Sequence, residues 1–415
     1  MSPTETAIVS VDSFASDFNL MAATQRREAP LAVLWDIENC PVPSDVRPED
    51  VASNIRTAIQ LHPVVSGSVV VFSAFGDFNA FPRRVREGCQ RTGVKLVDVP
   101  NGRKDAADKA ILLDMFLFVL DHPPPSTIVI ITGDVDFAPA LHVLGQRGYN
   151  VVVIIPSGVY VNPALTSAGK FVWDWQSIVH GEGIVKSLSH LQDPSLCIRS
   201  QPLMMIQKAM SPTETAIVSV DSFASDFNLM AATQRREAPL AVLWDIENCP
   251  VPSDVRPEDV ASNIRTAIQL HPVVSGSVVV FSAFGDFNAF PRRVREGCQR
   301  TGVKLVDVPN GRKDAADKAI LLDMFLFVLD HPPPSTIVII TGDVDFAPAL
   351  HVLGQRGYNV VVIIPSGVYV NPALTSAGSQ IAPISPQYQE CVHHKSREAQ
   401  GLAFLDEFVQ PHCCE

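Results

Sequence analysis

A chain of 415 residues with 47% hydrophobic content has material for two or three domains with sizeable cores. Its formal net charge of −12 argues against coating nucleic acid or membrane by bulk electrostatics, while leaving room for a local basic track. No apolar run approaches the roughly 18 residues of a membrane span, and Asp12 and Asp17 interrupt the N-terminal stretch as no secretory signal would tolerate. Eight cysteines without a Cys-x-x-Cys pair read as reduced thiols in a cytoplasmic setting.

A repeat search reorganises the chain. Residues 1–169 recur letter for letter as residues 210–378, including the leader that follows Met1 and Met210. Packing tolerates many substitutions, so complete identity implies a recent duplication or two adjacent reading frames joined in one gene. Each copy carries 13 Lys and Arg against 18 Asp and Glu, a net charge of −5. The expected organisation is a flexible leader over 1–29, a domain over 30–180, a linker with the repeated leader over 181–238, a second domain over 239–378, and an unrelated, disordered tail over 379–415. After Gly378 the sequence departs from that of copy one, so the second domain is expected to lack the last strand. The tail carries Cys391, His393, His394, His412, Cys413 and Cys414, but their spacing matches no standard zinc finger.

Within one copy, Leu31–Asp36 reads as a buried strand ending on aspartate. Pro48 with Glu49 and Asp50 starts a helix that runs to Leu61. Ser68–Phe75 is a second strand, Asn79–Thr92 an arginine-bearing helix, and Val94–Val99 a third strand. The loop Pro100–Lys104 leads into a helix over Asp105–Leu120, with Asp105 placed to cap it. Ile128–Ile131 is a fourth strand that runs into Thr132-Gly133-Asp134-Val135-Asp136-Phe137, and a helix from Ala138 to Gly148 follows. Asn150–Ile155 is a fifth strand, a short helix spans Asn162–Ala168, and Phe171–Trp175 alternates as a final edge strand.

Strands alternating with helices predict an α/β three-layer sandwich around a parallel sheet, with right-handed crossovers giving strand order 3-2-1-4-5, present twice. Ligand sites in such sheets lie at the carboxyl ends where the strand order reverses, here between strands one and four. Asp36 ends strand one, and Asp134 and Asp136 follow strand four, so three carboxylates distant in sequence are expected in one crevice. Asp108, one turn into the helix after strand three, is the candidate fourth, while Asp114 is given a supporting or structural role. A plainer reading has Asp134 closing the turn and Asp136 capping the helix. An acid set without histidine or thiol ligands selects a hard cation, Mg²⁺ or Mn²⁺, and suits attack of metal-bound water on a phosphodiester. Asn39 could orient a phosphate or a metal water, or merely hold its own turn.

Seven basic residues lie between Arg83 and Lys104 against only Glu87 and Asp98, inside an otherwise acidic unit. Arg83, Arg84, Arg103 and Lys104, with Arg312 and Lys313 in the second copy, are therefore candidate RNA contacts. Arg86 and Arg91 read as a solvated helix face. Phe75, Phe78 and Phe81 could stack bases, though core packing suits at least two of them better.

Trp35-Asp36-Ile37-Glu38-Asn39-Cys40-Pro41, Lys104-Asp105-Ala106-Ala107-Asp108, Leu113-Asp114-Met115 and Thr132-Gly133-Asp134-Val135-Asp136-Phe137 together resemble the NYN domain, a PIN-like nuclease fold. They are most similar to the branch of the meiosis regulator and mRNA stability factors (limkain-b type). The resemblance implies a metal-dependent endoribonuclease acting on RNA in mRNA turnover or regulation of gene expression, with a peroxisomal association in animal relatives. By motif position it implies metal ligation by Asp36, Asp108, Asp134 and Asp136, with Asn39 beside them. The same roles fall to Asp245, Asp317, Asp343, Asp345 and Asn248 in the second copy. The expected partner is single-stranded RNA, with self-association of the two copies, and no membrane insertion. Two rivals differ in class: a PIN-like module that binds RNA or protein without cutting, and a phosphatase using Asp36 as nucleophile. The second wants an aspartate two residues on, where Glu38 stands.

Overall fold

A computed structural model of the chain describes residues 29–63, 65, 67–99, 105–183, 238–270, 274, 276–309, 314–365 and 369–381. They form two compact units. The first comprises the described residues 29–183 together with 314–330, and the second 238–309 and 331–381. The leader, most of the linker, Arg103, Lys104, Arg312, Lys313 and the Cys/His tail lie outside the described residues.

The first unit is built on six strands: β1 (Pro30–Asp36), β2 (Ser68–Gly76), β3 (Lys95–Asp98), β4 (Thr127–Ile131), β5 (Asn150–Ile155) and β6 (Phe171–Asp174). All pair in parallel in the order β3-β2-β1-β4-β5-β6, so the predicted order is observed, with the edge strand added beside β5. The two central strands show why. Every residue of β4 and all but the first of β1 are buried, the near-continuous apolar runs of strands covered on both faces. On one face, Val51, Ile55 and Ile59 of the helix Pro48–Leu61 and Val85 and Cys89 of the helix Arg83–Arg91 pack on Val33, Trp35, Phe72 and Val129. The helix Ala106–Asp121 lies across β1 and β2, burying Ile111, Leu112, Met115 and Phe116.

Three local expectations are corrected. The helix expected from Asn79 begins at Arg83, because Pro82 occupies its N-cap and Asn79 is held in a turn by the Asp77 carboxylate (3.0 Å). Asp105 occupies the cap position of its helix at φ 60° and makes no side-chain capping bond; only its carbonyl accepts from Lys109 N–H. The stretch after β6 is a further helical turn, Trp175–Val179, capped by Asp174 through Ser177 N–H (3.0 Å), where the sequence suggested strand and linker.

The second unit repeats the sheet with β7 (Pro239–Asp245), β8 (Ser277–Gly285), β9 (Lys304–Asp307), β10 (Thr336–Ile340), β11 (Asn359–Ile363) and β12 (Ser379–Ile381), in the order β12-β11-β10-β7-β8-β9. The expectation that this copy lacks its last strand is overturned. Ser379-Gln380-Ile381, unrelated in sequence to Phe171–Asp174, pairs in parallel with Val361–Ile363. Backbone groups along the edge of β11 accept an extended segment whatever its side chains. The following helical turn has no counterpart among the described residues.

Candidate active site

The crevice at the carboxyl ends of β1 and β4 is assembled by one hydroxyl. Thr132 Oγ1 donates to Asp36 Oδ2 (2.8 Å) and accepts from Asp134 N–H (3.1 Å), tying the end of strand one to the loop leaving strand four. That loop turns at Gly133, where an added Cβ would lie 2.9 Å from the Pro156 ring, so the tight turn needs glycine. Asp36 is 1% exposed and also accepts from the Asn39 side-chain amide and from Asn39 N–H (3.1 Å). The loop carrying Asn39 is braced by Trp35 Nε1 donating to Cys40 O (2.8 Å). Glu38 points away: it packs over Gly76 and accepts from Asp77 N–H (2.9 Å), a structural role.

Asp134 Oδ1 accepts from Asp136 N–H (2.9 Å), so Asp134 is the cap of the short 3₁₀ turn Val135–Phe137. In the plainer sequence reading Asp136 capped the following helix; in the structure that helix, Ala138–Gln146, has Phe137 at its N-cap without a side-chain capping bond, and Asp136 presents its carboxylate to Lys318. Lys318 Nζ bridges Asp136 Oδ2 (2.9 Å) and Asp108 Oδ2 (2.7 Å), all within the first unit. In the same unit Lys109 Nζ holds Asp317 Oδ2 at 2.7 Å, and Phe116 stacks on Phe325 with ring centroids 4.9 Å apart.

Burial dominates the electrostatics. It pushes Asp36 above the usual carboxylate range; the bonds from Asn39 and Thr132 oppose it, and the charge of Glu38 adds to it. Asp108 rises to about 6, chiefly through burial; the Lys318 ammonium pulls it back, and the charges of Asp134 and Asp36 push it further up. Asp36, Asp108 and Asp134 thus feel one another, and Asp136 shares a cation with Asp108. Burial depresses the Lys318 ammonium, but Asp108 and Asp136 outweigh that and hold it above its ordinary value. Asp114 stands apart, 3.9 Å from Lys95, and burial raises it.

The second unit repeats the arrangement. Asp245 Oδ2 accepts from Thr341 Oγ1 (2.8 Å) and Asn248 Nδ2 (2.6 Å), Asp343 N–H donates to Thr341 Oγ1 (3.1 Å), and Asp345 N–H donates to Asp343 Oδ1 (2.9 Å). Burial raises Asp245, and the Asp343 charge adds to it.

A divalent ion is tested by what the acids already do. Two of them clasp an ammonium group, so the charge and oxygen chemistry of the set suit a hard cation. Among the described residues, however, no three acidic, histidine or cysteine side chains converge in a metal-holding geometry. The fit is one of charge and chemistry, with the carboxylate oxygens turned toward protein donors. Sequence reasoning missed Thr132 and the lysine after Asp108. Thr132 stood inside a quoted motif without a role, and Lys109 directly follows an acid, the one signal that could have marked it.

Of the candidate RNA contacts, Arg83 and Arg84 are exposed on the helix Arg83–Arg91, with Arg83 paired to Glu87 and Arg91 bonding the same carboxylate at 2.9 Å. Phe75 and Phe78 are buried, and Phe81 packs against the core, 5.7 Å from Phe78.

The sequence profile of the NYN domain matches residues 30–173 and 239–384. The chain belongs to the NYN domain family, carries the domain twice, and has the PIN-like α/β fold in both copies. It is similar to the protein named meiosis regulator and mRNA stability factor 1, at 28% identity over 131 residues in Xenopus tropicalis and 28% over 126 in Mus musculus. Those matches take in 31% and 30% of this chain but only 8% and 7% of the relatives. Among solved structures, a protein of unknown function from Vibrio parahaemolyticus aligns over 36% of this chain and 93% of its own, at 17% identity and TM-score 0.29. The Acinetobacter baumannii protein MurG aligns at 10% identity over 90% of this chain and 92% of its own, with TM-score 0.22.

Proposed function

We propose that each copy is a metal-dependent endoribonuclease that hydrolyses phosphodiester bonds of single-stranded RNA, acting in mRNA turnover or the regulation of gene expression. The observation that supports this reading is that Asp108, which shares the Lys318 ammonium with Asp136, also feels the charges of Asp36 and Asp134 from the carboxyl ends of β1 and β4. Family membership and the names of the relatives point the same way.

Asp36, Asp108, Asp134 and Asp136 would hold Mg²⁺ or Mn²⁺, which supplies an activated water and neutralises charge on the reacting phosphate. The chain's own contribution is positional. Thr132 and Asn39 fix the Asp36 carboxylate, and the Thr132 hydroxyl locks the Asp134 loop to it. Lys318 must leave Asp108 and Asp136 for both to serve as ligands. In the second unit Asp245, Asp343, Asp345 and Asn248 would take the corresponding roles, while Asp317 belongs to the first unit, where Lys109 holds it.

The test is cleavage of a labelled single-stranded RNA with Mn²⁺, comparing the natural chain with Asp134→Asn/Asp343→Asn. Equal rates would end the nuclease reading. Retained RNA binding with no cleavage by either protein would favour a non-cutting module, a reading that the bridging lysine itself supports.

A further inference from the structure

A cavity of about 430 Å³ opens beside the helix Arg83–Arg91 and β3, away from the acids, within the size range of ligand pockets. Phe78 and Leu96 give it apolar walls, and Arg83, Arg86, Gln90 and Asp98 give it polar edges. Arg86 Nε is buried without a hydrogen-bond partner, and so is Arg295 Nε, its equivalent in the second copy. A buried donor on a charged group left unbonded is costly, so the guanidinium that lines this cavity has hydrogen-bonding capacity the protein itself does not satisfy. A bare phosphate is a poor match, because the carboxylates of Glu87 and Asp98 line the same space. A planar group with apolar faces and both acceptors and donors along its edge matches better. It accepts from the Arg86 guanidinium, donates to the Asp98 carboxylate (which otherwise receives Phe78 N–H at 3.1 Å), and rests on Leu96 and Phe78.

We propose that this cavity is a nucleobase subsite for an unpaired base of the RNA strand. The inference rests on the reading of the protein as acting on RNA and adds where a neighbouring base is read. Placement supports it: Phe75 lies opposite Asp36 and Gly76 opposite Asp98, so Asp98 ends its strand two strands from Asp36, about 10 Å away. One strand of RNA can therefore lie along the carboxyl edge of the sheet, with its phosphate at the acids and a nearby base in the cavity.

The experiment measures binding of a fluorescein-labelled 12-nucleotide single-stranded RNA to the full chain in EDTA, so that it is independent of cleavage. Arg86→Ala/Arg295→Ala should raise Kd at least fivefold, while Arg91→Ala/Arg300→Ala, exposed at the end of the same helix and outside the cavity lining, should change it less than twofold. Gln90→Trp/Gln299→Trp, which fills the cavity from its exposed rim, should weaken binding similarly and decides the matter if the arginine variant fails to fold. An abasic oligonucleotide should bind the natural chain more weakly than the base-bearing one and be indifferent to Arg86→Ala/Arg295→Ala. Unchanged Kd in the folded cavity variants, or equal weakening of abasic and base-bearing strands, overturns the base subsite. If those variants weaken binding but no protein cleaves RNA with Mn²⁺, only the nuclease reading falls.

Discussion

The two copies offer a comparison that homologues rarely provide: identical sequence from 30 to 169 and from 239 to 378, completed differently. In copy one, β6 and the turn Trp175–Val179 lay Trp173, Trp175, Ile178 and Val179 over the helix Pro48–Leu61. Trp175 sits 5.2 Å from Trp35 and donates to Pro41 O (3.0 Å), and Asn54 Nδ2 donates to Val179 O (2.8 Å). Among the described residues copy two supplies three residues of strand and no counterpart of that turn. The same core positions loosen in response: Cys40 and Val51 are fully buried, whereas Cys249 and Val260 are 8% and 7% exposed. Strand pairing completes the sheet in both copies, and in copy one the final turn also buries side chains in the core.

The largest effect expected is on stability. Trp175→Ala should cost copy one about 3–5 kcal/mol, the usual toll for removing a buried aromatic. Denaturant unfolding followed by intrinsic fluorescence should show the transition of the first unit moving to lower denaturant in the variant, with that of the second unit unchanged. Two transitions that do not move would mean that the final turn contributes nothing to the core.

Catalysis sharpens the contrast next. Asp134→Asn/Asp343→Asn should lower Mn²⁺-dependent RNA cleavage by about 100-fold or more. Asp134→Asn alone and Asp343→Asn alone should each leave the share of the other copy. A single variant that removes all cleavage would assign the activity to one copy.

A smaller effect follows from acidity. With Asp108 at about 6 in the metal-free chain, Mn²⁺ must displace a proton below that value, so the Mn²⁺ concentration for half-maximal cleavage should rise about tenfold per pH unit below it. The sign for stability is opposite. A carboxyl raised on folding contributes most when protonated, below its ordinary value of 3.8, and that contribution is lost as the pH rises through about 6. Thermal melts of Asp108→Asn should lack this decline; parallel pH profiles for the two proteins would contradict it. Smallest is the bond at Asn54: Asn54→Ala should cost about 1 kcal/mol in the copy-one transition, and Asn263→Ala, at the identical position of copy two, nothing comparable.

Much of this was legible beforehand, for physical reasons. The buried strands announced themselves as apolar runs such as Thr127–Ile131, and crossover handedness then left little freedom in their order. The meeting of Asp36 with Asp134 followed from that order alone. Hidden from inspection was everything decided by side chains reaching across the fold. Thr132 is one residue among many threonines until its hydroxyl is seen between two strands, and Lys318 is separated by 210 residues from the Asp108 it clasps. Arg86 looked like a surface residue because its neighbours on the helix are charged, and only packing reveals its buried Nε. The strand Ser379–Ile381 was invisible because its sequence resembles nothing in copy one; an edge accepts peptide groups, which every residue has.

That indifference of the outer edge has a bearing on how such chains arise. All the acids, the threonine latch and the cavity lie upstream of the point where the copies diverge, so breakage or splicing there leaves the chemistry intact. Two unrelated peptides, Phe171–Asp174 and Ser379–Ile381, finish the same sheet in this chain. An outer edge that accepts both asks for an extended backbone there and for no particular side chains.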